Sequence, residues 1–318
     1  MIRLPQISEE NATRFCNDTY PRILTLLTKN EKNSQFQKII RYCSTDGKLD
    51  DKKIKNLLTG DFSTLKKAID QIGIIEKKCV QGKSPNKVDN PTVNDLFEAE
   101  YKKFCSRKLG INWAQRIDVT ICPYCNRSYI FTSSKRGTRP QYDHYFPKSK
   151  YPYLALSMYN LIPCCSVCNG LKHDDDTVEN PIIYPYQDSY GVQAEFVENG
   201  VDADNIASWL GAAPKYEIKI QCKDEIDPDL KKRIEQAVKT FRLEDLYSKH
   251  SDYVKDILRT AYIYHDDYFT GLVTQYPDLF HSKEEAKDFV FFNYLEEKDW
   301  GKRVLAKLTH DLAQKISR

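Results

Sequence analysis

The sequence predicts a mostly α protein with one small α+β insert between helical regions, and three observations carry that expectation. Apolar residues recur at helical spacing from about residue 8 to 109 and again beyond 225. Between 117 and 170 the pattern changes to short β-branched and aromatic runs. These are broken by Pro140, Pro147, Pro152 and Pro163, which keep most of the stretch out of regular helix. Four of the ten cysteines fall in that same stretch as two CxxC pairs.

At 318 residues the chain has room for two domains, or for one core with helical extensions. Hydrophobic residues make up 41% and charged residues 29%, which supports a packed core and excludes wholesale disorder. No apolar run approaches the roughly 18 residues of a membrane helix. The opening MIRLPQISEENATRF is polar within a few positions. Neither a membrane span nor a secretory signal is expected, and the chain reads as cytoplasmic.

The first region, 1–110, is expected to be all helical, with apolar faces at Ile23, Leu24, Leu26 and Leu27 and again at Leu57, Leu58, Leu65, Ala68 and Ile69. Asn94 is the expected N-cap of a helix through Leu96, Phe97, Ala99, Tyr101 and Phe104, with Gly110 as its stop. Polar breaks at Thr45-Asp46-Gly47 and from Gly82 to Pro91 separate these helices. In the second region, 111–185, Ile117, Val119 and Ile121, then Tyr129, Ile130 and Phe131, flank a turn from Ser133 to Gly137. A third extended run ends at Tyr142-Asp143-His144. The third region, 186–318, returns to helical spacing. Its faces are Leu230, Ile234, Ala237, Val238 and Phe241, then Val254, Ile257, Leu258 and Ala261, with two further amphipathic helices over 283–296 and 302–317.

The net charge of +3 conceals a strong local imbalance. Residues 1–100 carry 17 Lys and Arg against 14 Asp and Glu, residues 101–150 carry 11 against 2, and residues 151–318 carry 20 against 29. A polyanion is the natural partner of the middle segment, although a solvated basic loop has the same composition.

Cysteines in a chain without a secretory signal argue against disulfides, because the cytosol keeps thiols reduced. Cys16, Cys43, Cys79, Cys105, Cys164 and Cys222 show no pairing pattern. Cys122-x-x-Cys125 and Cys165-x-x-Cys168 do, with 39 residues between them. Each CxxC places two thiolates on one side of a tetrahedral ion, which suits zinc. Four thiolates close the coordination shell, so this zinc is structural. It staples a segment too short and too proline-rich to fold alone. Cys164 is the alternative to its neighbour Cys165, but only Cys165 completes the second CxxC.

Inside the loop that this zinc would close lie Asp143-His144-Tyr145-Phe146-Pro147-Lys148-Ser149, Asn160-Leu161-Ile162-Pro163 and Cys168-Asn169-Gly170-Leu171-Lys172. In these residues the sequence resembles the HNH endonuclease family, whose outline is CxxC, DHxxPxS, NLxxxCxxCN and then Lys. The resemblance spans about 122–172. It departs where the glycine pair that often follows DHxxPxS is replaced by Lys150-Tyr151-Pro152.

The resemblance implies a zinc-stapled ββα-metal core within the mostly α chain and hydrolysis of phosphodiester bonds. Such chemistry needs an activated water and a cation for the charge that develops on phosphate. His144 is the expected general base, because an ordinary imidazole pKa near 6.5 leaves it neutral and able to accept a proton at physiological pH. By resemblance, Asp143 and Asn169 ligate one Mg²⁺ or Mn²⁺, and Asn160 fixes the His144 ring by hydrogen bonding. Lys172, one helical turn past Cys168, faces phosphate, and Lys135, Arg136, Arg139, Lys148 and Lys150 complete the expected nucleic-acid contacts. His173 is close enough to compete for the last motif position, but the family places its ligand directly after the second CxxC. Tyr142, Tyr145, Tyr151, Tyr153 and Tyr159 are expected to pack a thin core, with base stacking as the alternative. The run Asp174–Asp176 is expected to be a solvated helix cap.

DHYFPKSKYP and Asn180-Pro-Ile-Ile-Tyr-Pro-Tyr further resemble bacterial HNH proteins of anti-phage systems, such as the nuclease subunit of Septu-type and some retron-associated systems, which act with an ATPase partner. The expectation is a nucleic-acid endonuclease, with DNA favoured over RNA. The competing class is a zinc-knuckle nucleic-acid-binding or scaffold protein without hydrolytic activity. Such a module does not need the intact Asp143, His144 and Asn169 set.

Overall fold

The computed structural model describes residues 1–76, 91–106, 108–135, 137–199 and 216–316. Arg136 and Cys79 lie outside the described residues, as does most of the break expected from Gly82 to Pro91. The chain forms two compact units. One comprises Pro5–Val119 and Ile130–Pro181, and the other Met1–Leu4, Thr120–Tyr129 and Ile182–Arg318. Among the described residues no helix is long and apolar enough to cross a membrane.

The first unit opens with α1 (Glu9–Lys29), capped by the Ser8 hydroxyl, which accepts from Asn11 N–H, with Glu9 and Glu10 in the first turn. It buries Phe15, Thr19, Ile23, Leu26 and Leu27 at helical spacing. The next elements are α2 (Gln37–Tyr42), the short hairpin β1 (Ser44–Thr45) and β2 (Lys48–Leu49), α3 (Asp51–Thr59) and α4 (Phe62–Ile72). Asp50 and Asp61 cap α3 and α4 with their carboxylates. Gly73 ends α4 at φ +76°, a left-handed conformation that costs glycine little.

Next come α5 (Val93–Ser106) and α6 (Lys108–Ile117). The start of α5 differs from expectation: Thr92 Oγ1 accepts from Asp95 N–H at 3.2 Å while Asp95 Oδ2 accepts from Thr92 N–H at 3.1 Å. That reciprocal cap leaves Asn94 inside the helix, where its amide donates to the Ser149 carbonyl at 2.6 Å. Gly110 does not stop a helix either, because it lies within α6. A Cβ there would come within 3.2 Å of both the Phe104 carbonyl and the Arg139 side chain, so its lack of a side chain permits close packing. Phe15 meets Phe104 and Trp113 with ring centroids 5.8 and 4.7 Å apart, which joins α1, α5 and α6 in one core. Ile117, read as extended, instead belongs to α6.

The unit closes with β3 (Gln141–His144), β4 (Leu161–Cys164) and α7 (Ser166–Lys172). β3 and β4 pair antiparallel, with Asp143 opposite Ile162 and His144 opposite Leu161. Between them, single helical turns at Pro152–Leu154 and Met158–Asn160 carry the chain through the proline-rich loop. Tyr142, Tyr145, Tyr151 and Tyr153 are buried as expected of core residues. Asp176 is not solvated: it is 4% exposed, accepts from the Tyr151 hydroxyl at 3.1 Å and pairs with Lys150 at 3.0 Å.

The second unit contains a hairpin that helical spacing does not reveal, β5 (Ala194–Asn199) paired antiparallel with β6 (Glu217–Cys222). It continues with α8 (Pro228–Thr240), α9 (Leu243–Ser248), α10 (Ser251–Ile263), α11 (Asp266–Gln275), α12 (Lys283–Val290) and α13 (Ala306–Ile316). Ile2, Ile121, Trp300 and Ala306 form one buried cluster of this unit. Asn126, fully buried at φ +50°, donates to the Trp300 carbonyl at 2.9 Å and accepts from Lys307 N–H at 3.2 Å.

Candidate active site and metal centre

The Sγ atoms of Cys122, Cys125, Cys165 and Cys168, all buried, lie within 4.8 Å of one another. A tetrahedral zinc with bonds near 2.3 Å needs sulfurs about 3.8 Å apart, so the set fits a single zinc ion. Cys165 N-caps α7 and its sulfur accepts from Cys168 N–H, while Cys125 Sγ accepts from Arg127 N–H, both at 3.4 Å. These amide-to-sulfur bonds favour the thiolate form that a metal takes. Cys164, the alternative ligand, stands outside this set, and burial pushes its thiol well above the ordinary range. Two supports escaped the sequence reading: the Tyr247 hydroxyl donates to the Cys125 carbonyl at 2.6 Å, and Asn126 anchors the residue after that cysteine.

The period of two along β3 sets the geometry around the DH pair. Gln141 and Asp143 share one face of the strand. α7 meets that face at two points one helical turn apart: the Asn169 amide donates to Gln141 Oε1 at 2.8 Å, and Lys172 Nζ lies 3.2 Å from Asp143 Oδ1. Tyr142 and His144 turn the other way. The Tyr142 hydroxyl donates to the Gly110 carbonyl at 2.6 Å, and the Tyr101 ring of α5 meets the His144 ring edge-on at 4.6 Å.

His144 Nε2 lies 3.1 Å from the Ala155 carbonyl oxygen. A carbonyl only accepts, so Nε2 carries the hydrogen and the lone pair of the neutral ring is on Nδ1. The ring is 7% exposed. Burial, followed by the positive charge of Lys148, pulls its pKa from 6.5 down to about 3 against the raising effect of Ala155. His144 is therefore neutral throughout the physiological range.

Asn160 does not bond to the ring as expected. It is fully buried, and its Oδ1 accepts from Phe146 N–H at 2.7 Å while its amide donates to the Phe146 and Leu154 carbonyls, both at 3.0 Å. It fastens the loop between β3 and β4 at Phe146 and at Leu154, the residue before the Ala155 carbonyl that meets His144.

The expected basic contacts fall in different environments. Lys135 is exposed, and Arg139 lies over the Tyr142 ring at 4.9 Å. Lys148 and Ala155 line a cavity of about 220 Å³ together with Asn94, Glu98 and Ser149. Lys150 is engaged by Asp176 and Glu179. Lys172 does not face solvent: its side chain is fully buried and also donates to the His144 carbonyl at 2.8 Å. His173 is exposed just past α7, at φ +46°.

Asp143 and Asn169 have the oxygen donors that Mg²⁺ or Mn²⁺ prefers. As they stand, the Lys172 ammonium sits on Asp143 Oδ1 and Asn169 is turned so that its amide donates to Gln141 Oε1, so they do not form a gathered site for a divalent ion.

The chain is 30% identical over 76 residues to the Septu protein PtuB of Bacillus thuringiensis, a match covering 23% of this chain and 30% of that protein. The chain thus spans about a third of the length of the relative it matches. No family model matches the chain, and no solved structure matches it.

Proposed function

We propose that the chain is an HNH-type endonuclease that hydrolyses nucleic-acid phosphodiester bonds as the effector of a Septu-type anti-phage system. The region 111–185 supplies its ββα core. The observation that carries this reading is His144 on β3, buried and neutral, with its ring fixed through Nε2 and its lone pair on Nδ1, in a strand–strand–helix unit whose helix begins at Cys165 of the four-cysteine cluster. Neutral imidazole is the form a general base requires, and such a base typically contributes 10²- to 10⁴-fold. An arriving phosphodiester anion favours imidazolium, which raises the ring's affinity for a proton as the water is deprotonated. Lys148, lining the cavity with Ala155, supplies positive charge for the phosphate.

Similarity to the Septu protein PtuB and the DHYFPKSKYP stretch support the defence role, and by that resemblance an ATPase subunit is the proposed partner. Since Asp143 and Asn169 are engaged by protein partners, no step is carried through a divalent ion.

The reading is tested with zinc-loaded wild type and His144→Ala on plasmid DNA and on RNA, across a series of divalent ions, with and without the partner. Wild type should cut, and His144→Ala should stay folded, bind nucleic acid and cut at least about 10²-fold more slowly. Equal cleavage by the two removes His144 from the mechanism. No cleavage by either under all conditions favours the alternative class, a zinc-knuckle binding or scaffold protein.

A further inference from the structure

We infer that the cavity of about 220 Å³ between α5 and the β3–β4 loop is a base subsite, which takes one unpaired nucleobase next to the phosphate at His144. Asn94 makes it selective for bases that carry an exocyclic amino group. Nucleic acid as the ligand comes from the proposed reading; the place of the base and the choice among bases are new.

The cavity has two walls within one compact unit. Asn94, Phe97 and Glu98 follow one another at i, i+3 and i+4 on one face of α5 and form the first. Lys148, Ser149, Pro152 and Ala155 form the second, with Asp174 just past α7. Ala155 joins the cavity to the candidate active site, since its carbonyl lies 3.1 Å from His144 Nε2. Lys148 stands on that side too: its Nζ is 6.0 Å from the centre of the Tyr101 ring, which in turn meets His144. The volume falls below the roughly 300 Å³ of a pocket for a drug-sized ligand, which suits a single extruded base and excludes a base pair.

Asn94 is the side chain that calls for a ligand. It is 6% exposed, and its amide is committed to the Ser149 carbonyl at 2.6 Å. Ser149 lines the same cavity, so the Asn94 carboxamide lies at its wall. The Oδ1 atom has no hydrogen-bond partner among the described residues. A buried acceptor without a donor is costly, and an incoming N–H group removes that cost. Glu98 and Asp174 add carboxylates, so the lining accepts hydrogen bonds and repels phosphate, which is left to Lys148. Cytosine, adenine and guanine bring an amino donor. Uracil and thymine carry a carbonyl oxygen where cytosine carries that amino group, and it would meet Asn94 Oδ1 acceptor to acceptor. Phe97 and Pro152, both buried, give the ring an apolar surface.

The probes are single-stranded oligo(dC) and oligo(dU) of about eight nucleotides, which differ only along the base edge where an amino group replaces a carbonyl. Fluorescence anisotropy with zinc-loaded full-length protein, without other divalent ions, compares them. Wild type should bind oligo(dC) about tenfold more tightly than oligo(dU). Asn94→Ala, shown to be folded by its melting curve, should bind both with the affinity that wild type has for oligo(dU). In wild type, irradiation with an oligo(dC) carrying one photoreactive iodocytosine should attach that base to a residue lining the cavity, as read by mass spectrometry.

Equal affinity of wild type for the two oligonucleotides, binding of neither, or a preference kept by folded Asn94→Ala overturns the inference. If Asn94→Ala fails to fold, the wild-type crosslink decides: attachment only outside the cavity overturns it. None of these readouts is cleavage. A cytosine preference in a protein that cuts nothing upholds the subsite and refutes the nuclease reading, and equal affinities in a protein whose cleavage depends on His144 do the reverse.

Discussion

Asn160→Ala is the sharpest perturbation of the proposed site, because Asn160 touches neither zinc nor the His144 ring. The substitution removes three buried hydrogen bonds, one from Phe146 N–H and two to the Phe146 and Leu154 carbonyls. Each contributes about 1 kcal/mol net, and stranding a buried polar group costs about 1–3 kcal/mol more. Some of the stranded groups will recover partners through loop movement, so the expected loss is about 3–5 kcal/mol. That is a large share of the roughly 5–15 kcal/mol a domain possesses.

Asn160→Asp makes the argument more specific. Its carboxylate can still accept from Phe146 N–H, but it aims a second oxygen at two carbonyls that need a donor. It should therefore be no more stable than Asn160→Ala at pH 7, despite being nearly isosteric. Chemical denaturation of the zinc-loaded proteins measures both. The remaining folded fraction should cleave about 10- to 100-fold more slowly, because a loosened Leu154 frees the Ala155 carbonyl that orients His144. A loss below 1 kcal/mol for Asn160→Ala, or Asn160→Asp as stable as wild type, refutes the reasoning.

Zinc removal by a chelator should unfold the stretch around the two CxxC pairs, since structural zinc supplies on the order of 10 kcal/mol. Elemental analysis should find one zinc per chain, lost in Cys165→Ser and Cys168→Ser, and either variant retaining its zinc and stability overturns that assignment. Charge reversal at Lys135 and Arg139 should weaken binding to all sequences about equally and flatten the salt dependence, measured by fluorescence anisotropy across ionic strength; salt-independent binding would place the substrate channel elsewhere. The pH dependence of stability has a definite sign at His144. Its folded pKa is lowered from 6.5 to about 3, so between those values the unfolded chain binds a proton that the folded chain refuses. Stability should fall as pH drops through that window, by up to about 1.4 kcal/mol per pH unit. His144→Gln should remove that component in denaturation curves at pH 7 and pH 5, leaving the same-signed contributions of His250 and His310.

What the sequence revealed was whatever is written in local spacing. Two CxxC pairs require only that four thiols meet, and they meet. The DH run ends an extended segment, and β3 ends at His144. Helical periodicity located α1, α3, α4, α8, α10 and α13, because each buries one stripe. It was silent where a partner across the fold decides the role of a residue. Asn94 looks like a cap, yet Thr92 and Asp95 cap each other and the Asn94 amide reaches Ser149. Lys172 looks like a phosphate contact by its place in the motif, and only the packing of α7 on β3 turns it inward. Asn160 was legible as important but not in its action, since its bonds go to backbone groups that the sequence does not specify. The β5–β6 hairpin was missed because Phe196 and Ile218 are buried while the sequence around them carries many charged residues.

Asp143 and His144 are adjacent in sequence, and strand alternation is what keeps them chemically apart. Were the carboxylate against the imidazole, its charge would raise the histidine pKa and favour imidazolium at neutral pH, which cannot accept a proton. Instead Asp143 meets Lys172 on the α7 side, and the His144 ring meets Tyr101 and Ala155 on the other. The cations near the ring, Lys148 and Lys172, push in the same direction as burial and keep it neutral. The Ala155 carbonyl then does what the family pattern had assigned to a side chain, selecting the Nε2–H tautomer and leaving Nδ1 to accept. In the proposed nuclease, a base held neutral this firmly would be weak until an anion arrives, so the charge of the substrate would itself bring the imidazole into its working range. The proposed phosphodiester chemistry would suit this strand, because such a substrate brings the negative charge that the strand keeps away from its own histidine.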